Sequence, residues 1–343
     1  MKKFKVLICI VTVVALLGCC TAFVGCKDKS MGTIAVLAKG ESHAFWQAVK
    51  MGAEKAGKEF NYNITFKGPA GEEGSENIAK QKELFDNAIA NQPKAVVFSA
   101  ISTGYVERLQ SLHANKIPVI HFDSGIKAED LNALGDKNPV KALVATSNVS
   151  AAGVAAENFY KANKEKIAKA TAGSFRIGVI QHDTTATGID RSKGFTSKIE
   201  ELAKADNVFS NISITIEPVL DTGDNSKYGE KAIAMYGQGF RNFYFTNEGV
   251  VTGAINALKG DSSVKFDETY IVGFDSGKVQ IQAIKEGIIE GSVTQNPIAI
   301  GYEAVKQAVM AIEGKETKDI SLAGLWYDKS NIDSEDIKPN LYE

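Results

Sequence analysis

The sequence predicts an α/β protein built as two doubly wound lobes, each with a parallel sheet. From residue 33 onward, short apolar runs rich in β-branched residues alternate with amphipathic stretches of helical spacing. This alternation is typical of parallel strands joined by crossover helices. The pattern contains some ten strands and starts again near residue 149, which is too much for one ordinary doubly wound domain. A chain of 343 residues is long enough to bury two cores.

The first half of the pattern predicts five strands and three helices. The strands are expected at 33–38, 62–67, 95–99, 117–122 and 143–146, and the helices at 44–60, 75–91 and 104–115. Asn115 ends the third of these helices, and Pro118 follows at the start of the next strand.

The second half repeats the alternation. Its strands are expected at 176–181, 212–219, 243–246, 269–274 and 291–295, and its helices at 149–168, 189–205, 226–236, 250–259 and 278–286. No proline-rich or serine-rich linker separates the two halves. We therefore expect the lobes to be joined by ordered chain, with the carboxyl ends of both sheets facing each other across a cleft.

Composition excludes several classes of protein. Hydrophobic residues make up 44% of the chain and charged residues 23%, which is ordinary for a globular protein. The formal net charge of −2 provides no basic excess for a phosphate backbone, so we expect no nucleic-acid partner.

The first residues predict export. Lys2, Lys3 and Lys5 precede an apolar run at 6–17 that extends weakly to residue 24. This is the pattern of a signal peptide, predicted here at residues 1–25, and a membrane-spanning anchor is the alternative. No other segment is long and apolar enough to span a bilayer.

All four cysteines of the chain lie in the first 26 residues, so disulfides play no part in the body of the protein. The stretches 16–19 and 23–26 both resemble the lipobox of bacterial lipoproteins, in which a small residue precedes the cysteine that becomes acylated. Cys26 is favoured because charged residues follow it at once, while Cys19 and Cys20 stay open as alternatives. We expect an extracytoplasmic protein held at the bacterial membrane by this lipid.

Hydrogen-bonding side chains follow most of the predicted strands. They include Ser42, His43, Ser99, Asp123, Ser124, Ser147, Asn148, His182, Asp183, Asn247, Glu248, Asp275, Ser276, Gln295 and Asn296. Carboxylates and amides bind hydroxyl groups, and aromatic rings cover the C–H faces of a sugar, so the set favours a polyhydroxylated ligand. Phosphate would favour basic residues or a glycine-rich turn. The alternative for each single position is a helix cap or a turn.

Two pairs of residues sharpen this interpretation. Phe45 and Trp46 are adjacent at a helix start, so they are not expected to face the same core. Asp123 and Asp275 follow strands at equivalent places in the two lobes, which favours a shared role in ligand binding over two independent caps.

These residues carry a family resemblance that spans the sequence after the leader. The chain resembles periplasmic-type sugar-binding proteins of the ribose/galactose group, the solute-binding subunits of ABC transporters. The motifs that carry the resemblance are His43-Ala44-Phe45-Trp46, Ile117-Pro118-Val119-Ile120 with Asp123-Ser124, Thr146-Ser147-Asn148, Gly188-Ile189-Asp190-Arg191, Thr246-Asn247-Glu248, Val272-Gly273-Phe274-Asp275 and Gln295-Asn296-Pro297.

The resemblance implies a type I periplasmic binding protein fold with a three-stranded hinge. The first lobe would comprise residues 31–146 plus 296–323 and the second 147–295 plus 324–343, with hinge positions at 146–148, 295–296 and 324–326. The implied ligand-binding residues are His43, Phe45, Trp46, Ser99, Asp123, Ser124, Asn148, Arg191, Asn247, Asp275 and Gln295.

The sequence also departs from the ribose-binding pattern. Ser124 stands where ribose binders show arginine, Ser147 where aspartate is commoner, and Arg191 lies two positions later than usual. These departures argue against ribose as the ligand.

No catalytic constellation is recognisable. The body of the chain has no cysteine, no G-x-S-x-G turn, no phosphate loop and no strand-linked G-x-G-x-x-G motif. His121 with Asp123, or His182 with Asp183, is too small a set for zinc. The acidic stretch 221–225 lacks a full calcium-loop pattern and is interpreted as a turn. We therefore expect no enzyme activity, no cofactor and no bound metal.

The preferred hypothesis is a monomeric solute receptor that closes its hinge on a sugar or polyol and delivers it to the permease and ATPase of an ABC transporter. A signalling or chemotaxis receptor of the same fold, presenting a sugar or a furanosyl autoinducer, is the alternative. On this hypothesis, Asp275→Ala is expected to abolish tight binding while leaving the fold intact.

Overall fold

The computed structural model describes residues 30–71, 74–184, 186–219 and 225–342. The predicted signal peptide, Cys19, Cys20 and Cys26 lie outside the described residues, as do residues 221–224 of the acidic stretch. Residues Gly32–Glu343 belong to one compact unit. No helix in the described ranges is long and apolar enough to cross a membrane.

Strands and helices alternate along the described chain, as the sequence predicts. The strands are β1 (Thr33–Leu37), β2 (Asn63–Lys67), β3 (Ala95–Phe98), β4 (Val119–Phe122), β5 (Val140–Thr146), β6 (Phe175–Gln181), β7 (Ile212–Pro218), β8 (Asn242–Phe245), β9 (Tyr270–Phe274), β10 (Gly291–Thr294), β11 (Ile320–Leu322) and β12 (Leu325–Asp328). The α-helices are α1 (Ala44–Glu59), α2 (Ser75–Ala90), α3 (Val106–Ala114), α4 (Ala128–Leu134), α5 (Asn148–Lys169), α6 (Ala186–Ala205), α7 (Asn225–Gly237), α8 (Glu248–Gly260), α9 (Lys278–Glu286) and α10 (Pro297–Ile312).

The strands form two six-stranded sheets of matching order. The first runs β11-β5-β4-β3-β1-β2 and the second β12-β10-β9-β8-β6-β7. Every pairing is parallel except that of β12 with β10. Strands β1–β5 of the first sheet and β6–β10 of the second follow the same doubly wound order. The chain therefore consists of two α/β lobes of one topology.

The chain passes between the sheets three times. It leaves β5 for α5, returns from β10 to α10, and passes from β11 to β12. The predicted fold class, two parallel-sheet lobes of the type I periplasmic binding protein kind, is confirmed by this arrangement. The residue limits of each lobe stay a prediction.

Helix α10 completes the first lobe by packing against α1. A Cβ at Gly52 would overlap the main-chain oxygen of Ile298, and one at Gly301 would overlap that of Val49. The two helices therefore approach so closely that only hydrogen fits at these positions. Val49, Ala53, Ile300 and Ala304 fill the core beneath this contact.

Candidate ligand-binding cleft

A cavity of about 1380 Å³ lies between the lobes, at the carboxyl ends of both sheets. Nine of the eleven predicted ligand-binding residues line it: His43, Phe45, Trp46, Asp123, Ser124, Arg191, Asn247, Asp275 and Gln295. The parallel topology explains this convergence, because loops that follow neighbouring parallel strands meet at one edge of a sheet.

Asp123 and Asp275 have the same local geometry in the two lobes. Both have left-handed backbones, with φ of 56° and 69°. The Asp123 N–H donates to Val144 O at 2.9 Å, and the Asp275 N–H donates to Val293 O at 2.7 Å. Neither aspartate is the N-cap residue of the following helix, since those residues are Lys127 and Gly277. Both side chains are therefore directed by the strand ends towards the cleft.

Three side chains hold the carboxylate of Asp275. Arg191 Nη1 donates to Oδ2 at 2.8 Å, and Oδ1 accepts from Gln295 Nε2 at 2.8 Å and from the Tyr342 hydroxyl at 3.0 Å. Burial raises the pKa of this carboxyl, but the Arg191 charge and the hydrogen bonds outweigh burial and hold the pKa below its usual value. Asp275 is therefore an ionised, fixed acceptor.

Arg191 is positioned by contacts on several sides. Its Nε donates to Asn148 Oδ1 at 2.9 Å, and its Nη1 donates to Thr246 O at 2.9 Å. The guanidinium lies 3.8 Å from the centre of the Phe274 ring. Arg191 is 4% exposed. These partners and Asp275 therefore compensate its buried charge for the loss of water.

Lobe one presents a second ion pair. Lys39 Nζ lies 3.3 Å from Asp123 Oδ2 and 5.7 Å from the centre of the Trp46 ring. Lys127 lines the same wall, and burial, followed by the nearby Lys39 charge, lowers its pKa. Each lobe thus offers the cleft a carboxylate with a basic partner, which gives a ligand hydroxyl both an acceptor and a donor.

His43 connects the two lobes. Its Nδ1 accepts from the Phe45 N–H at 3.2 Å as the N-cap of α1, and its Nε2 lies 3.2 Å from Glu248 Oε2 at the start of α8. Because Nδ1 accepts, a proton on Nε2 can be donated to Glu248. The side chain expected to touch ligand thus forms a contact across the cleft.

Phe45 and Trp46 correct one expectation. Both belong to the core of lobe one, and their rings meet edge to face with centres 4.8 Å apart. Trp46 is 1% exposed and also packs edge-on against Phe122. Adjacent residues can share this core because the first helical turn lets two large rings turn towards each other. Since Phe45 is 7% and Trp46 1% exposed, neither ring presents a broad stacking face to the cavity.

His182 forms part of the second lobe's wall. Its Nδ1 lies 2.8 Å from Thr246 Oγ1, a hydroxyl that donates to Ile180 O and accepts from the His182 N–H. Nε2 of the same ring lies 3.6 Å from Asp183 Oδ1. Burial, with the neighbouring Arg191, lowers the pKa of His182 to about 4, so the ring is neutral.

The other predicted residues have varied positions. Asn247 caps α8, since its Oδ1 accepts from the Val250 N–H at 2.8 Å, and it lines the cavity as well. Ser124 lines the cavity, and its buried Oγ has no hydrogen-bond partner among the described residues. Asn148 lies behind the wall and orients Arg191. Ser99 is fully buried and does not line the cavity, because its main chain is tied to Gln81 and Leu37 beneath the surface.

Sequence reasoning missed several lining residues. Lys39, Lys127, Asp183, Glu248 and Tyr342 line the cavity without being selected as ligand-binding. Asp183 and Glu248 were already among the polar residues noted after predicted strands, and Lys39, which lies just after the first strand, could have been found in the same way. Tyr342 gave no such signal, because it reaches the cleft only through the path of the chain after β12.

The site contains no recognisable metal centre. Within the ranges that the structure describes, no three histidine, cysteine, aspartate or glutamate side chains are grouped to hold a metal ion. What the arrangement offers is a set of fixed donors and acceptors from both lobes around a central space. Such a set binds and orients a polar molecule.

Fold and cleft together define a two-lobed binding protein of the periplasmic type. Residues 34–316 match the family model of the periplasmic binding protein domain. The chain belongs to this family, whose members are substrate-binding proteins rather than enzymes.

Several solved structures are similar. One, described as an ABC transporter, LacI family transcriptional regulator from Brachyspira murdochii, is 34% identical, with 91% of this chain and 98% of that chain covered and a TM-score of 0.82. An ABC transporter solute-binding protein from Agrobacterium vitis with bound D-fucose is 25% identical, with coverage of 91% and 100% and a TM-score of 0.70. A carbohydrate transporter solute-binding protein from Agrobacterium radiobacter in complex with D-arabinose shares 21% identity, coverage of 91% and 100%, and a TM-score of 0.71, which shows the common fold. No curated protein matches the sequence at a significant level.

Proposed function

We propose that this protein is an extracytoplasmic solute-binding protein that captures its ligand by hinge closure. The ligand is a small polyhydroxylated molecule, namely a monosaccharide. The observation that carries the proposal is the matched pair Asp123 and Asp275, which end equivalent strands of two opposed sheets and line one cavity. Each carries a basic partner, Lys39 or Arg191. Similar proteins with bound D-fucose or D-arabinose support a sugar as ligand.

The chemistry of the walls agrees with a neutral polar ligand. Asp123 and Asp275 accept from hydroxyls, and Lys39 donates. Two of the cationic side chains at the walls form ion pairs, Lys39 with Asp123 and Arg191 with Asp275. A neutral sugar therefore leaves both of these ion pairs intact when the cleft closes.

Closure follows from the three chain crossings between the sheets. Rotation about these crossings brings the two walls together, and a ligand that touches both walls stabilises the closed state by its additional contacts. The His43–Glu248 contact forms across the same gap. The contacts of the ligand therefore add to a closed arrangement of the lobes that the His43–Glu248 contact already stabilises.

Delivery and location form the remaining part of the proposal. The closed protein docks as a monomer on the permease of an ABC transporter, whose ATPase drives uptake, and a lipid on Cys26 holds it at the outer face of the membrane. The family assignment and the description of similar proteins as ABC transporter components support docking on an ABC transporter.

Binding of a sugar panel to the body of the protein, residues 27–343, tests the proposal. The panel is D-arabinose, D-fucose, D-galactose, D-glucose, D-allose and D-tagatose, measured by thermal shift and then by calorimetry. We expect at least one sugar to raise the melting temperature and to bind with a Kd at or below about 10 µM.

Two controls accompany the panel. Asp123→Asn should weaken binding of that sugar at least tenfold, whereas Asp86→Asn, which breaks an ion pair with Arg108 outside the cleft, should leave Kd unchanged. If no sugar of the panel binds, or if Asp123→Asn binds as well as the parent protein, the proposed function fails.

A further inference from the structure

Tyr342 lies between the two lobes and contacts the predicted ligand-binding residues of both. Its ring meets Phe45 edge to face with centres 5.4 Å apart and lies 6.3 Å from the His43 ring, both on lobe one. Its hydroxyl donates to Asp275 Oδ1 on lobe two at 3.0 Å.

The segment that carries Tyr342 is anchored. The Tyr342 N–H donates to Ser276 Oγ at 3.1 Å, and Thr294 Oγ1 donates to Asn340 O at 2.9 Å. Ile337 is buried in the core of lobe two. Because main-chain and side-chain contacts both hold it, Tyr342 is a fixed wall of the cleft, and its ring is 5% exposed.

The contact limits what Asp275 can still accept. An ionised carboxylate has about four acceptor positions, two on each oxygen. Gln295 and Tyr342 take both positions on Oδ1, and Arg191 takes one on Oδ2. One position on Oδ2 remains for a ligand hydroxyl.

Asp123 differs from Asp275 in this respect. Lys39 lies near its Oδ2 at 3.3 Å. Within the described residues no side chain or main-chain group donates a hydrogen bond to its Oδ1. The two equivalent aspartates therefore offer a ligand unequal numbers of acceptor positions.

We propose that Tyr342 is a specificity-determining residue, which fills one side of Asp275 so that a ligand presents a single hydroxyl to Asp275 and two adjacent hydroxyls to Asp123. This inference rests on the proposed function and deepens it, since it states which hydroxyl arrangement the cleft selects. A sugar whose second hydroxyl points at Asp275 Oδ1 meets the Tyr342 hydroxyl instead and is rejected.

Tyr342→Phe is the direct test, with the same six sugars measured by calorimetry on the parent protein and the variant. D-galactose and D-fucose differ by one hydroxyl, and D-glucose and D-allose by the configuration of one. We expect the variant to bind the preferred sugar within about threefold of the parent protein and the disfavoured sugars about tenfold more tightly, because Asp275 Oδ1 is then free to accept from them, so that the ratio between sugars shrinks. A general loss of structure would scale all six constants together.

Two further variants keep the test decisive. Tyr160→Phe removes a phenol–carboxylate hydrogen bond of 2.8 Å to Asp206, away from the cleft, and should leave the ratios unchanged. Tyr342→Leu also removes the hydroxyl while it keeps an apolar side chain at this buried position, and it should show the same change of ratios, including in the event that Tyr342→Phe fails to fold.

Three outcomes overturn the inference. The first is a set of binding ratios within twofold of the parent in folded Tyr342→Phe, and the second is the same result in folded Tyr342→Leu. The third is a parent protein that binds none of the six sugars, which removes the proposed function together with this inference.

Discussion

Arg191 and Asp275 form a buried ion pair at the centre of the cleft, with Nη1 and Oδ2 2.8 Å apart and both side chains almost inaccessible to solvent. Two predicted ligand-binding residues thus bind each other in the ligand-free protein. The pair links the start of α6 to the end of β9, so the same groups maintain the wall and prepare it for a ligand.

Replacing Asp275 should therefore affect stability as well as binding. Asp275→Ala leaves the Arg191 charge buried without its carboxylate, and we expect a loss of about 3 to 5 kcal/mol in the free energy of unfolding. The sequence alone suggested a variant with an intact fold, and the buried partner changes that prediction. Urea denaturation measures the loss.

Asp123→Ala is the matched control for this experiment. Its partner Lys39 is partly exposed, so the same substitution in lobe one should cost about 1 kcal/mol or less. Equal losses in the two variants would contradict the assigned difference in burial.

Stability should fall as the pH drops below about 6.5. The folded-state pKa of His182 is lowered to about 4, so between these values the unfolded chain binds a proton that the folded chain does not. This costs the folded state about 1.4 kcal/mol per pH unit. Burial also lowers the pKa of His121, which adds to the same trend.

Urea midpoints at pH 7.5, 6.5, 5.5 and 5.0 measure this dependence. His182→Gln should reduce the slope of the unfolding free energy against pH by the equivalent of about one proton. His113→Gln, at an exposed position, should retain the parent slope. An unchanged slope in His182→Gln would show that the buried ring is not the source.

The contact between His43 and Glu248 should favour the closed arrangement of the lobes before ligand binds. Glu248→Gln removes its charge, so we expect a larger radius of gyration by small-angle scattering in the ligand-free state. The matched control is Glu217→Gln, which breaks an exposed ion pair with Lys231 away from the cleft. An identical scattering profile for all three proteins would argue against a role of this contact in closure.

The approach of α1 and α10 gives a prediction for the scaffold. Gly301→Ala places a methyl group on the main-chain oxygen of Val49, and we expect a destabilisation of about 1–3 kcal/mol or more. Gly260→Ala, at the end of α8 with no atom within 4 Å of the added carbon, should be neutral or stabilise by about 0.5 kcal/mol. Thermal denaturation compares the two, and similar melting temperatures would contradict the close packing.

The sequence predicted the regular part of this architecture because parallel strands and crossover helices leave a strong pattern of apolar residues. It also placed Asp123 and Asp275 at equivalent strand ends, which the two left-handed backbones confirm. The prediction did not include β11 and β12, and β11 has only three residues, too few for an alternating pattern to stand out.

The part of the site that escaped prediction depends on contacts distant in sequence. Nothing near Tyr342 indicates that its hydroxyl reaches Asp275, and nothing near Trp46 indicates that Phe45 and Phe122 surround it. Arg191 was expected at the ligand, but its pairing with Asp275 depends on how the second lobe folds. Strand ends are local properties of a sequence, whereas the partners of a side chain are properties of the folded chain.

Strand β11 has a consequence for the order in which the protein can be assembled. Ile320 pairs with Val144, and all of the second sheet except β12 lies between them in the sequence. During synthesis on the ribosome, the edge of the first sheet therefore stays uncovered until almost the whole chain has been made. Since contacts between such distant residues form slowly, we expect β11 to dock last, after the second lobe has been synthesised.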